Sequence, residues 1–285
     1  MPLALPAAAG DLALDRDQRY VAYMPFGFVS FQDWQLGNGD QFGLYWPIGR
    51  EGGAPIVAET FHDDGSVMPG FSGIDSFLAA TRDLDEADHP GFPTLADDPR
   101  SPLALYEEAR RLLKAQRVED AIHRLEAAIA VLPEYTSALA LLASQYLRLG
   151  GMDAACRMAV RATISPPSFG CEAHVSRMKA WLAQQEHAPE DLRDDPVWLH
   201  RRALEPLPSG GQKESPAYGV ALKVIAAYEA RGEIVPALTL MQSYGEYMGS
   251  ETSAFWERNG FSPTEHRARQ VELSARLPHG PRVLV

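Results

Sequence analysis

An α+β domain with a mixed or antiparallel sheet and helices, followed by an all-α helical array, is the fold class this sequence predicts. Three observations carry that expectation. Ala109, Ala121, Leu125, Ala128 and Pro133 return 34 residues later as Ala143, Ala155, Ala159, Ala162 and Pro167. Residues 87–102 hold four prolines and no periodic apolar pattern, the composition of a connecting segment. Before that segment the apolar pattern is strand-like, and after it the pattern is helical. The expected division is residues 1–86, a linker over 87–101, and residues 102–285.

The elements follow in order. A first strand is expected over 28–34. The string Gly37-Asn38-Gly39-Asp40 reads as a turn into an aromatic strand over 41–46. Residues 54–61 form another strand, closed by His62-Asp63-Asp64-Gly65. Residues 72–84 read as a helix, with Ser72 as N-cap, Asp75 in the first turn, and Ile74, Phe77 and Leu78 as its apolar stripe. Helices are expected over 102–115 and 118–132, then over 137–149 and 152–164 with Gly150-Gly151 at the turn. Small residues recur where paired helices cross closely, and the repeated proline ends each pair. Residues 172–186 read as a further helix and 189–211 as a loop or short helix. Residues 216–248 look like a degenerate third pair, because Tyr228, Gly232 and Ala237 repeat the spacing of Tyr146, Gly150 and Ala155. A last helix over 262–277 carries Glu265, Arg267, Arg269 and Glu272, the polar outer face of a cap.

Composition bounds the function. The chain has 285 residues, 46% of them hydrophobic, enough for about two domains. No apolar run approaches the roughly 18 residues of a membrane span. Residues 1–10 are apolar but lack a basic start, so they do not read as a secretion signal, and a cytoplasmic location is expected. Cys156 and Cys171 fit reduced, structural thiols. Residues 1–100 carry 16 carboxylates against five arginines and no lysine, so nearly all of the formal −12 sits in the first third. Such a block repels nucleic acid and anionic membranes; it serves solubility or draws in basic partners.

The 34-residue recurrence resembles the tetratricopeptide repeat, a helix–turn–helix unit that binds proteins. By that resemblance the first helix of each pair lines a groove, which implies contacts from Leu103, Tyr106, Arg110 and Lys114, then from Ser137, Ala140, Ser144 and Arg148. Arg110, Lys114 and Arg148 would make a mildly basic patch suited to a carboxylate-bearing peptide. Alternatively they are ordinary solvated cations, or the acidic first domain fills the groove.

Gly37 to Leu44, then Ala54-Pro55-Ile56-Val57, then His62-Asp63, then Phe71 to Leu78 resemble the SUKH superfamily. Its members carry a GxGD turn into an aromatic strand, a PIV strand, an acidic or His-Asp turn, and a helix ending in FL. The resemblance implies an α+β fold and a bacterial immunity protein that binds and occludes a toxin. The family's opening helix is not legible here; Leu12 to Ala22 is the only remnant. On this reading Asp33, Asp40, Glu51, Asp63 and Asp64 cover a basic surface of the toxin. A tetratricopeptide adaptor or chaperone that holds a partner's peptide, through Tyr106, Arg110, Lys114, Ser144 and Arg148, is the alternative.

Catalysis is not expected. The Gly37–Asp40 string lacks G-x-G-x-x-G spacing and runs into a strand, so it reads as a turn and not a phosphate cradle. His62, Asp63 and Asp64 have the chemistry for acid–base work or a metal, but no further ligand stands at suitable spacing. No G-x-S-x-G elbow or H-E-x-x-H is present. No cofactor or metal is implied, and the expected partner is a protein, not nucleic acid or membrane.

Overall fold

The computed structural model describes residues 3–15, 24–35, 37–84, 88–205 and 215–284. Strands β1 (Phe28–Gln35), β2 (Gln41–Tyr45), β3 (Ile56–Thr60) and β4 (Val67–Phe71) form an antiparallel sheet in that spatial order. Helix α1 (Ile74–Thr81) follows. Then come α2 (Pro102–Lys114), α3 (Val118–Val131), α4 (Thr136–Arg148), α5 (Met152–Ile164), α6 (Ala173–Ala183) and α7 (Pro196–Leu204). The chain closes with α8 (Ala217–Ala230), α9 (Ile234–Gly249), α10 (Ser253–Asn259) and α11 (Pro263–Ser274). This is an α+β domain followed by an all-α array. Among the described residues, no helix is long and apolar enough to cross a membrane.

Both faces of the sheet are covered, which explains strands rich in aromatics where a half-solvated sheet would alternate with polar residues. Val29, Phe31, Phe42, Leu44, Val57 and Phe71 pack with Phe77 of α1 and with Leu3 and Ala9. Phe28, Tyr45, Ile56, Ala58 and Val67 point the other way, into a cluster with Leu105, Tyr106, Tyr135 and Phe169 of the helical part. The sheet and the helices therefore share a core. Tyr45 anchors the junction: its hydroxyl donates to Glu134 Oε1 at 2.6 Å, and the Ile48 N–H donates to the same oxygen at 2.8 Å. Replacing Tyr45 by Phe leaves that buried carboxylate oxygen with one donor fewer. The expected loss is about 1–3 kcal/mol of stability, measured by urea unfolding.

The recurring small residues are buried. Ala109, Ala121, Leu125 and Ala128 and their counterparts Ala143, Ala155, Ala159 and Ala162 are all 0% exposed, at the close crossings within α2–α3 and α4–α5. Gly150 and Gly232 end α4 and α8 at φ of 78° and 74°. In the first pair Gln116 holds the equivalent place at φ 61°. A side chain in this left-handed region is strained, so Gln116→Gly is expected to stabilise the chain by about 1 kcal/mol, read as a higher melting temperature.

Some sequence expectations change. Strand β4 contains Pro69 and Gly70 and was not foreseen, nor was the short α10. Ser72 does not cap α1; its N–H donates to Asp98 Oδ2 at 2.7 Å, and the N-cap residue is Gly73. The 88–101 stretch is irregular but pinned, since the Ser101 hydroxyl bonds Gly70 O while capping α2. Of the Leu12 to Ala22 remnant, residues 16–23 lie outside the described residues, and Leu14 makes an isolated bridge to Phe31. Residues 206–211 of the expected 189–211 loop or short helix also lie outside them, as do residues 212–214.

Candidate functional site

The turn between β3 and β4 places His62, Asp63 and Asp64 on the surface. The preceding β1–β2 turn holds this one in place. Asp40 accepts from the His62 N–H at 2.9 Å, and His62 Nδ1 lies 3.0 Å from the same oxygen. Asn38 Nδ2 donates to the other Asp40 oxygen at 2.7 Å. Gly39, at φ 99°, passes so close that a Cβ would stand 2.8 Å from His62 Cγ. His62 Nε2 lies 3.0 Å from Asp63 Oδ1. Burial raises the Asp40 carboxyl, but its bonds to His62 outweigh this and hold it below the usual range. The Asp40 hydrogen bond in turn raises His62. Both ring nitrogens of His62 face carboxylates, so the ring braces the turn.

That turn forms one wall of a cleft of about 310 Å³. The opposite wall is the end of α9, with Glu246, Tyr247 and Ser250, and the floor is the 167–171 loop with Ser168 and Cys171. The Ser168 N–H and hydroxyl donate to Glu246 at 3.0 and 2.9 Å. Desolvation pushes the Glu246 carboxyl up to about 8 despite these donors. A carboxyl raised above its unfolded value adds stability below its ordinary pKa and loses that contribution as pH rises through its folded pKa. Glu246→Gln is therefore expected to gain stability relative to the parent as pH rises from ~5 to ~8. Thermal unfolding across that range measures it, and parallel curves would contradict it.

The structure sorts the expected contact residues. Asp63 and Asp64 are exposed on the cleft's wall. Asp40 is not available to a partner, because it is buried under His62. Glu51 is likewise withdrawn: it is 4% exposed and paired with buried Arg282, so it neutralises an internal cation. Asp33 lies in β1, but its side chain is outside the described residues. In the helical part Arg110, Lys114 and Arg148 are exposed. Arg110 pairs with Glu107 at 2.8 Å and Arg148 donates to Gln116 at 2.8 Å. Tyr106 is not a groove contact, being 5% exposed against Tyr135 with ring centres 5.3 Å apart. Ser144 is half-buried and donates to Ala140 O at 3.0 Å within its own helix. The sheet meets the helices at Ser101, Glu134 and Phe169.

Glu246, Ser168 and Tyr247 were missed. A signal existed: Glu246 is the sole charged residue of α9, in a helix otherwise read as core. Among the described residues, no group of three or more His, Cys, Asp or Glu side chains is placed to hold a metal ion.

Comparisons with known proteins bear on both walls. Residues 14–90 match the YfbP N-terminal domain and residues 209–283 the YfbP C-terminal domain. The chain is 35% identical over 253 residues to a protein of Escherichia coli (strain K12) named "Uncharacterized protein YfbP", covering 88% of each chain. No solved structure matches the chain. One wall of the cleft falls in each matched domain, and the 167–171 loop falls between them.

Proposed function

This chain belongs to the YfbP family, and we propose that it is a recognition protein that captures a basic protein partner and occludes it, in the manner of a toxin-immunity protein. The observation that carries this reading is the exposed Asp63-Asp64 pair on a turn braced by Asp40 and His62. A fixed pair of carboxylates in a domain of strong negative charge steers and orients a basic surface. The likeness of the first domain to SUKH immunity proteins supports the same reading. Its action is occlusion, and no bond of the partner is made or broken. A cytoplasmic location belongs to this proposal.

A second reading, an adaptor that grips a peptide on the helices, is favoured by the exposed Arg110, Lys114 and Arg148. The test is capture from a lysate of the native organism with the purified chain, washed at low and then high salt. One stoichiometric basic protein, released by salt, is the expected result. Many sub-stoichiometric proteins sharing an exposed tail would favour the adaptor. Recovery of no partner would overturn both.

A further inference from the structure

Lys179 on α6 is 9% exposed. Its ammonium donates to the Tyr247 hydroxyl at 3.1 Å and lies 5.8 Å from that ring's centre. Among the described residues no carboxylate pairs with it. A buried ammonium with no direct ion pair is costly unless a counter-charge arrives. It lines a cavity of about 50 Å³ with Thr136, Ser165, Ser176 and Tyr247, where Glu205 is exposed at the edge. That volume suits one small anionic group and not a continuing backbone.

This cavity adjoins the larger cleft, because Pro167, Cys171 and Tyr247 line both. The joined recess thus has a cationic end at Lys179 and an acidic end at Asp63 and Asp64. At about 310 Å³ the cleft is near the lower end of small-ligand pockets, ~300–1,000 Å³. The occupant must be short and must carry both charges.

We propose that the recess takes the C-terminal residue of the basic partner, with the free α-carboxylate on Lys179 and a lysine or arginine side chain directed toward Asp63 and Asp64. This rests on the recognition reading above and names the part of the partner that enters. An anion alone would leave the acidic wall unmatched, and an internal basic residue would leave Lys179 without its counter-charge.

The test uses the full chain and two probes, the tripeptide Gly-Ala-Arg as the free acid and as the C-terminal amide. Calorimetry is expected to show the acid binding at least about tenfold tighter than the amide, a difference of ~1.4 kcal/mol. Cys171 is exposed where the two cavities meet, whereas Cys156 is buried. Saturating acid is therefore expected to slow maleimide labelling of Cys171. Lys179→Met removes a buried charge, folds, and abolishes the preference for acid over amide. Equal affinity for acid and amide, or no binding of either, overturns the inference. If the basic partner still binds through Asp63 and Asp64 in that case, the recognition reading stands. If neither partner nor peptide binds, both fall.

Discussion

Arg282→Ala is expected to destabilise the chain by about 3–5 kcal/mol, the range for breaking a buried ion pair on one side. Arg282 is fully buried, in the last residues of the chain, inside the first domain. It pairs with Glu51, which is also buried, and donates to the carbonyls of Phe26 and Trp46 at 2.6 Å and of Pro47 at 3.3 Å. Its guanidinium lies 5.5 Å from the ring centre of Phe26 and 5.8 Å from that of Tyr45. Removing it strands the Glu51 charge and three carbonyl oxygens in a dry interior. Leu3 donates to Val283 O at 2.9 Å beside it, so the two chain ends are joined there. For a chain of this size the loss corresponds to a fall of roughly 10 °C in melting temperature, read by calorimetry. The double variant Arg282→Met with Glu51→Leu, which leaves no stranded charge, is expected to recover much of the loss. A fall of under ~1 kcal/mol for Arg282→Ala would show that the pair does not hold the chain's end in place.

Reversing both exposed charges of the turn, Asp63→Lys with Asp64→Lys, is expected to weaken partner binding by about a hundredfold. Like charges brought together across an interface cost several kcal/mol, so ~2–3 kcal/mol for two exposed positions is a moderate figure. The loss is expected to shrink as salt rises, because exposed charges are screened over ~10 Å at 0.1 M. Arg110→Glu with Lys114→Glu is the matched control on the helical face and is expected to leave affinity unchanged. The opposite pattern, with only the helical reversal harmful, would make the adaptor the correct reading.

How much of this the sequence carries depends on the range over which each cause acts. The paired helices were legible because close crossings demand small residues at fixed steps, and Ala109, Ala143 and their companions repeat in register. The strands β1 to β3 were legible because a sheet buried on both faces needs aromatic and branched residues. Strand β4 was hidden by Pro69 and Gly70; its place at the edge of the sheet tolerates a residue with no N–H to give. The turn residues His62, Asp63 and Asp64 were visible as a motif, whereas their cleft was not. Its far wall comes from α9, and no local pattern links Asp64 to Glu246. Glu51 misled for the same reason. It reads as a surface carboxylate until Arg282, 231 residues away, is placed against it.

On the proposed recognition function, the partner is held at the β3–β4 turn and the end of α9. Hydrogen–deuterium exchange of the full chain, alone and with the captured partner, tests this most directly. Slowed exchange over residues 61–66 and 246–251 is expected, with no change at the C-terminal ends of α2 and α4. Protection confined to residues 110–116 and 144–149 would contradict it and move the binding surface to the helical array.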